Sequence, residues 1–133
     1  MKRIVSALAA SLTVVAGTAF AQEETGRNEY MVACSGCHGE SAMGDGPLAG
    51  LLTIETPNLT TLATEKGNGT FPFQYVVWMV DGRDIIRAHG SAMPIWGERF
   101  QTSATSQRGE TPDMVARGRI LSLVYYLEAI QTQ

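Results

Sequence analysis

The 133-residue chain predicts a small all-α domain, because its apolar residues recur at helical spacing and no alternating strand pattern is long enough to build a sheet. The spacing is clearest over residues 72–81 and 111–130, and a shorter helix is expected over residues 25–34. The length fits a single domain.

Capping residues define the ends of the two longer helices. Pro72 fits a first helical turn, and Gly82 stands where a C-terminal cap is expected. Thr111 is the expected N-cap of the last helix, with Pro112 at its first position and Asp113 near the positive end of the helix dipole. These signals place both helices independently of the apolar pattern.

The remaining segments are rich in glycine, proline and polar residues and are predicted to be irregular. Glycine and proline are dense over residues 36–59, which should wrap around a ligand, and residues 64–70 form a turn region. Residues 83–100 are expected to be irregular, and residues 101–109 form an exposed polar loop.

The first residues have the composition of a secretory signal. Lys2 and Arg3 precede an apolar run over residues 4–18, and Ala19-Phe20-Ala21 matches an A-x-A cleavage site. The run is shorter than the roughly 20 residues of a spanning helix, so we expect cleavage rather than retention as an anchor. The predicted mature domain, residues 22–133, is then a periplasmic protein without stable membrane insertion.

Charge and cysteine content limit the functions of the mature chain. Without Lys2 and Arg3 it keeps eight basic and thirteen acidic residues, a net charge of about −5, so a nucleic-acid partner is not expected. Two cysteines in an exported chain normally indicate a disulfide, yet Cys34 and Cys37 are three residues apart and His38 follows directly.

Cys34-Ser35-Gly36-Cys37-His38 has the C-x-x-C-H signature of covalent c-type haem attachment. Residues three apart lie on one side of a helical turn, so both thiols can reach the two vinyl groups along one edge of a porphyrin. His38, the next residue, can then face the iron as an axial ligand.

Three other interpretations of the cysteine pair make demands that this chain does not meet. A structural zinc site needs four ligands, and beyond the motif only His89 offers another nitrogen donor. A redox dithiol normally belongs to a βαβ unit, and no strand pattern flanks Cys34. A plain disulfide would leave His38 without a role.

The sixth iron position requires a donor from a segment that can fold over the other haem face. Met93 is the preferred candidate, because glycine and proline interrupt regular structure throughout residues 89–97. His89 is the competitor, since imidazole is also a good iron ligand. Met79 is expected to be core filler on its helix.

The mature chain resembles bacterial class I, mono-haem cytochromes c over essentially its whole length. Besides the cysteine motif, the resemblance rests on three segments: Gly44-Asp45-Gly46-Pro47-Leu48, Met93-Pro94-Ile95-Trp96-Gly97 and the end of the last helix, Leu123-Val124-Tyr125-Tyr126-Leu127. The resemblance implies an all-α class I cytochrome c fold of three to five helices wrapped around one covalently bound haem c.

The resemblance also implies a crossing of the first and last helices. Gly26 and Tyr30 would meet Tyr125 or Tyr126 there, with Gly26 permitting close approach because it lacks a side chain.

Further haem contacts follow from the resemblance alone. The Pro47 carbonyl is expected to accept the ring N–H of His38 and so to orient this ligand. Asn58, Arg83 and Trp96 are expected near the haem propionates, where donors and positive charge would offset buried carboxylates.

With His38 and Met93 filling both axial positions, no open site remains for a substrate, so the expected function is electron transfer through an Fe(III)/Fe(II) couple and not enzymatic catalysis. The expected partners are redox proteins, namely a periplasmic dehydrogenase or respiratory complex and a terminal oxidase or reductase. The alternatives are an electron-accepting subunit of a periplasmic dehydrogenase, a catalytic haem protein with a displaceable sixth ligand, and a ligand sensor in which Met93 is displaced.

Overall fold

The computed structural model describes residues 23–83, 93–105 and 109–132. Within these ranges the regular structure is helical and contains no strand, as the all-α prediction requires. The helices are α1 (residues 23–33), α2 (Ser35–His38), α3 (Leu62–Gly67), α4 (Phe73–Asp81), α5 (Trp96–Thr102) and α6 (Pro112–Ala129), with a 3₁₀ turn at Ala49–Leu51. The signal segment and His89 lie outside the described residues.

The helices predicted over residues 72–81 and 111–130 are confirmed almost at their expected ends, and residues 25–33 of the predicted first helix are helical. Gly82 has the left-handed φ of 67° that ends α4. The Thr111 hydroxyl accepts a hydrogen bond from the Met114 backbone N–H at 3.2 Å and caps α6, where Pro112 is the first helical residue. No helix in the described ranges is long and apolar enough to cross a membrane.

Helices α3 and α5 correct the sequence prediction, which treated residues 64–70 as a turn and residues 83–100 as irregular. Both helices are short, and burial stabilises them where the sequence pattern is weak. Leu62 is buried in α3, and Phe100 is buried in α5 with its ring 5.5 Å from that of Trp96. α5 also extends into the polar stretch predicted to be a loop.

Helices α1 and α6 cross at a glycine, as predicted. A Cβ atom on Gly26 would lie 2.8 Å from the Cβ of Tyr126 and would also meet the backbone oxygen of Ser122. The rings of Tyr30 and Tyr126 pack with their centroids 5.4 Å apart. Tyr126 is therefore the crossing residue, whereas the ring of Tyr125 packs on Phe73 at 5.0 Å.

One arginine joins three helices near this crossing. The Arg119 guanidinium forms a bidentate ion pair with Glu29 of α1, with N···O distances of 2.9 and 2.8 Å, and its Nη1 donates to the Ser103 hydroxyl at 3.0 Å. Its charged end also lies 4.1 Å from the centroid of the Phe100 ring. Because α1 leads directly into α2, this contact fixes the base from which the cysteine motif projects.

Candidate functional site

An open cavity of about 370 Å³ lies beside α2. Its walls come from the end of α1, from α2, from the chain around residues 48–57, from α4 and from the segment leading into α5. Apolar side chains dominate these walls, and besides the two thiols the ionisable groups in the lining are His38, Glu55 and Arg99. The volume falls within the range of about 300–1,000 Å³ that is usual for cofactor sites.

Both cysteines of the motif line this cavity as free thiols. The backbone N–H groups of Cys37 and His38 donate to the Cys34 carbonyl at 3.1 and 2.9 Å, so the three residues share one helical turn. Burial, with smaller effects from Cys37 and Glu29, raises the pKa of the Cys34 thiol to about 12. Cysteines that act as redox nucleophiles have lowered pKa values instead.

The chain after α2 folds back along it and holds the motif in place. The backbone N–H of Gly46 donates to the Cys37 carbonyl at 3.1 Å, and that of Leu48 donates to the Gly36 carbonyl at 2.8 Å. A Cβ on Gly46 would lie 2.5 Å from the Cys37 oxygen, so this close approach requires glycine. The buried Tyr30 hydroxyl secures the end of α2 by donating to the Gly39 carbonyl at 2.6 Å.

His38 is 8% exposed and its ring is oriented by one hydrogen bond. Nδ1 lies 3.1 Å from the carbonyl oxygen of Pro57. A carbonyl only accepts, so Nδ1 carries the proton and Nε2 keeps the lone pair that a metal would use. Burial lowers the pKa of the imidazole, while the bond to Pro57 acts in the opposite direction. The side chain is thus held in the neutral form that binds metals.

The expectation that the Pro47 carbonyl accepts this bond is wrong. Pro47 lies between Gly46 and Leu48, whose N–H groups are bonded to the backbone of α2, so its segment follows the helix axis and not the imidazole. The chain returns to His38 ten residues later, at Pro57. A turn signal marks this point, because a proline is followed there by an asparagine.

The segment leading into α5 contributes a further part of the lining. Met93 and Trp96, both predicted site residues, line the cavity and are partly buried against the core. Met79 of α4 lines it too, although the sequence suggested a core role alone. The structure therefore brings Cys34, Cys37, His38, Met93 and Trp96 together and adds a second thioether.

Asn58 and Arg83, predicted near the propionates, do not line the cavity, and neither does Pro47. The Asn58 carboxamide oxygen accepts from the backbone N–H and the hydroxyl of Thr60, both at 2.8 Å, and so stabilises the turn after Pro57. Arg83 instead forms ion pairs with two aspartates at the ends of α4 and α6.

Arg99 is the cationic residue that sequence reasoning missed. Its side chain lines the cavity, and its guanidinium lies 5.3 Å from the centroid of the Trp96 ring. The three-residue spacing of Trp96 and Arg99 would have placed them on one helix face, but this segment was predicted to be irregular.

One imidazole, that of His38, and two thioethers, those of Met79 and Met93, line the cavity, and these donor types suit the axial positions of a haem iron. In the described ranges, no three His, Cys, Asp or Glu side chains are grouped so that they could hold a metal ion. A structural zinc ion needs four such ligands, whereas a haem iron takes only two axial ligands from the protein.

The described residues define an all-α protein with an apolar cavity lined by two thiols, one oriented imidazole and two thioethers. No model of a known protein family matches the chain, and none of the curated proteins or solved structures compared with it matches either. The case for a function therefore comes from the site itself.

Proposed function

We propose that this protein is a periplasmic electron carrier of the class I cytochrome c type, with one covalently attached haem c. The observation that carries the proposal is that Cys34, Cys37, His38 and Met93 line one cavity. The imidazole of His38 is already oriented there by its hydrogen bond to the Pro57 carbonyl. A bound haem would supply a one-electron Fe(III)/Fe(II) couple.

The surroundings of the cavity fit a large apolar cofactor. Val32 and Ile54 both belong to the lining, yet they are 83% and 56% exposed. Apolar side chains exposed together at one site usually mark a binding surface, and a porphyrin in the cavity would cover them. A porphyrin would also add apolar area to the core, because a chain of this length can bury only a modest fraction of its own surface.

Each cysteine has a separate task in the attachment. The thiols of Cys34 and Cys37 would each add across one vinyl group, with sulfur bonding one vinyl carbon and the thiol hydrogen moving to the other. This addition is redox-neutral and needs no further reactant. Their shared helical turn keeps both sulfurs on one side, as two vinyl groups along one porphyrin edge require.

The axial ligands and the nearby cation would tune the site. His38 would bind iron through Nε2, with its basicity supported by the bond from Nδ1 to Pro57. Met93 would provide the sixth ligand, and its thioether favours Fe(II) and raises the potential. Arg99, which lines the cavity, would partner a propionate in place of Arg83.

Electron exchange would take place at the cavity mouth, in short-lived complexes of the small size typical of redox proteins. Leu51 is 79% exposed and lies on the 3₁₀ turn next to the lining residue Leu48, so the rim offers apolar contacts to a partner. The same surface favours, as a second candidate, the electron-accepting subunit of a periplasmic dehydrogenase. A complex that persists through size-exclusion chromatography would distinguish the subunit from a free carrier.

The proposal is tested by producing the full chain in a bacterium that attaches haem to exported proteins. We expect a coloured periplasmic protein whose intact mass exceeds that of the polypeptide by one haem. The Cys34→Ala, Cys37→Ala double variant should lose this added mass. Ser35→Ala, between them, removes only a hydroxyl that donates to the Met31 carbonyl, and should keep it. A colourless wild-type protein of unmodified mass would refute the proposal.

A further inference from the structure

A network of ion pairs joins the end of α4 to the first turn of α6. The Arg83 guanidinium binds both carboxylate oxygens of Asp81, with Nε at 2.5 Å and Nη2 at 2.9 Å, and its Nη1 lies 2.5 Å from Asp113. Asp113 also pairs with Arg117 at 2.7 Å. The side chains of Arg83 and Asp81 are only 26% and 20% exposed, so water screens this part of the network less than an ordinary surface pair.

The beginning of α5 rests directly on this network. Gly97, the second residue of α5, is buried, and a Cβ added to it would meet the carboxylate of Asp81 and lie 2.5 Å from the Nε of Arg83. The backbone of α5 therefore approaches the ion pair as closely as a glycine allows. Trp96 immediately precedes Gly97 and lines the cavity, and Met93 lies only four residues before it.

We propose that Arg83 is a positioning residue for Met93, acting with Asp81 and Asp113. The proposal rests on the function given above, in which Met93 is the sixth iron ligand. The network holds the backbone at Gly97 against the end of α4, which fixes the direction in which the chain enters α5 and therefore the place of the Met93 thioether at the cavity. Arg83 does not line the cavity, so it acts through the backbone and not by touching the haem.

The charges of the network suit this task. The carboxylates of Asp81 and Asp113 both face Arg83, and Arg117 supports Asp113 from the next turn of α6. Replacing Arg83 by an apolar residue would leave Asp81 without its bidentate partner, whereas Asp113 would keep its ion pair with Arg117. The Asp81 carboxylate would then turn toward water, and the close contact between Gly97 and the end of α4 would loosen.

The test measures how readily a small ligand displaces Met93 from ferric protein. Imidazole is titrated into purified holoprotein while the far-red thioether-to-iron absorption is followed. For Arg83→Met, we expect half-displacement at a roughly tenfold lower imidazole concentration than in the wild type. Arg27→Met removes an equally charged residue from the exposed side of α1, outside the network, and is expected to stay within about twofold of the wild type.

A second variant keeps the charges and disturbs only the close contact of Gly97 with Asp81 and Arg83. Gly97→Ala should increase imidazole affinity in the same direction as Arg83→Met, and Arg83→Lys should recover part of the wild-type resistance because it restores the charge without the bidentate geometry. Amide hydrogen exchange over residues 96–102 should be faster in Arg83→Met and unchanged in Arg27→Met. Unchanged imidazole affinity in both Arg83→Met and Gly97→Ala would overturn the positioning role while leaving the electron-transfer proposal intact. A wild type without haem would instead overturn that proposal.

Discussion

The carbonyl oxygen of Pro57 accepts the Nδ1–H of His38 at 3.1 Å, which joins the end of a long irregular segment to the last residue of the cysteine motif. This contact determines which ring nitrogen faces the cavity. It depends on the turn at residues 57–60, where the Asn58 side chain accepts two hydrogen bonds from Thr60. Asn58 therefore supports the orientation of His38 although it lies outside the cavity lining.

The first prediction follows from that turn. In the proposed haem protein, Asn58→Ala should leave the haem attached but accelerate solvent exchange of the His38 Nδ1 proton, because the Pro57 carbonyl is held less firmly. Loss of the two bonds is expected to destabilise the fold by about 1–2 kcal/mol. Nitrogen-15 NMR of the reduced protein measures the exchange, and Asn28→Ala on the exposed side of α1 is the control. Equal exchange rates in both variants would contradict the proposed support.

The crossing of α1 and α6 offers a second prediction with a matched control. Gly26→Ala should lower the free energy of unfolding by about 1–3 kcal/mol, since the new methyl group meets the backbone at Ser122 and the side chain of Tyr126. Gly118→Ala adds the same methyl group to α6 with no atom within 4 Å, and should raise stability by up to about 1 kcal/mol. Urea denaturation compares them, and a stabilised Gly26→Ala would contradict the packing.

Helices with their own caps were predictable from the sequence, and helices held by tertiary packing were not. The ends of α4 and α6 coincide with Gly82 and Thr111, residues whose chemistry fixes a boundary locally. No comparable signal marks α5, which is seven residues long and is stabilised by burial of Phe100 and Gly97 against other elements. The helices predicted correctly are therefore those whose ends depend on neighbouring residues in the sequence. The missed helix depends on contacts with residues distant in the sequence.

The same distinction applies to the candidate site. Cys34, Cys37 and His38 lie within five consecutive residues, so one helical turn was enough to predict their common side. The choice between Pro47 and Pro57 depends on the path of a loop, which hydrogen bonds between residues distant in sequence determine. No periodicity of the chain contains that information.

The position of Arg99 at the cavity gives a third prediction. In the proposed haem protein, a nearby positive charge favours the reduced iron. Arg99→Gln should therefore lower the reduction potential, by roughly 30 mV for a partly screened charge at about 10 Å. Arg117→Gln removes the same charge from an exposed site in the ion-pair network and should change the potential much less. Spectroelectrochemical titration measures both. An equal effect of the two variants would assign Arg99 a purely long-range role.

Met79 and Met93 both line the cavity, so a fourth prediction must distinguish which thioether is the sixth ligand. In the proposed haem protein, Met93→Leu should abolish the far-red thioether band and lower the potential by on the order of 100 mV, because an apolar side chain of similar volume cannot bind iron. Met79→Leu should keep the band and change stability by less than about 1.5 kcal/mol. Visible spectra of the ferric proteins decide between them. A band that survives in Met93→Leu but disappears in Met79→Leu would reverse the assignment of the ligand.

The fifth prediction concerns the acid stability that Asp81 provides. The hydrogen bond from Arg83 holds the pKa of the Asp81 carboxyl below its ordinary value of 3.8. The unfolded chain therefore takes up a proton at this group at a higher pH than the folded chain does. The contribution of Asp81 to the free energy of unfolding is accordingly complete above the unfolded pKa and is lost as the pH falls through the folded pKa.

Asp81→Asn should consequently destabilise the protein near neutral pH, and the difference from the wild type should shrink as the pH falls below about 4. Urea denaturation at a series of pH values measures this difference, with Glu24→Gln on the exposed start of α1 as the control. A penalty that stays constant from neutral pH to pH 3 would mean that Asp81 acts through its shape and hydrogen bonds alone. A penalty that shrinks with acid identifies its charge, paired with Arg83, as what holds the end of α4 to the start of α5.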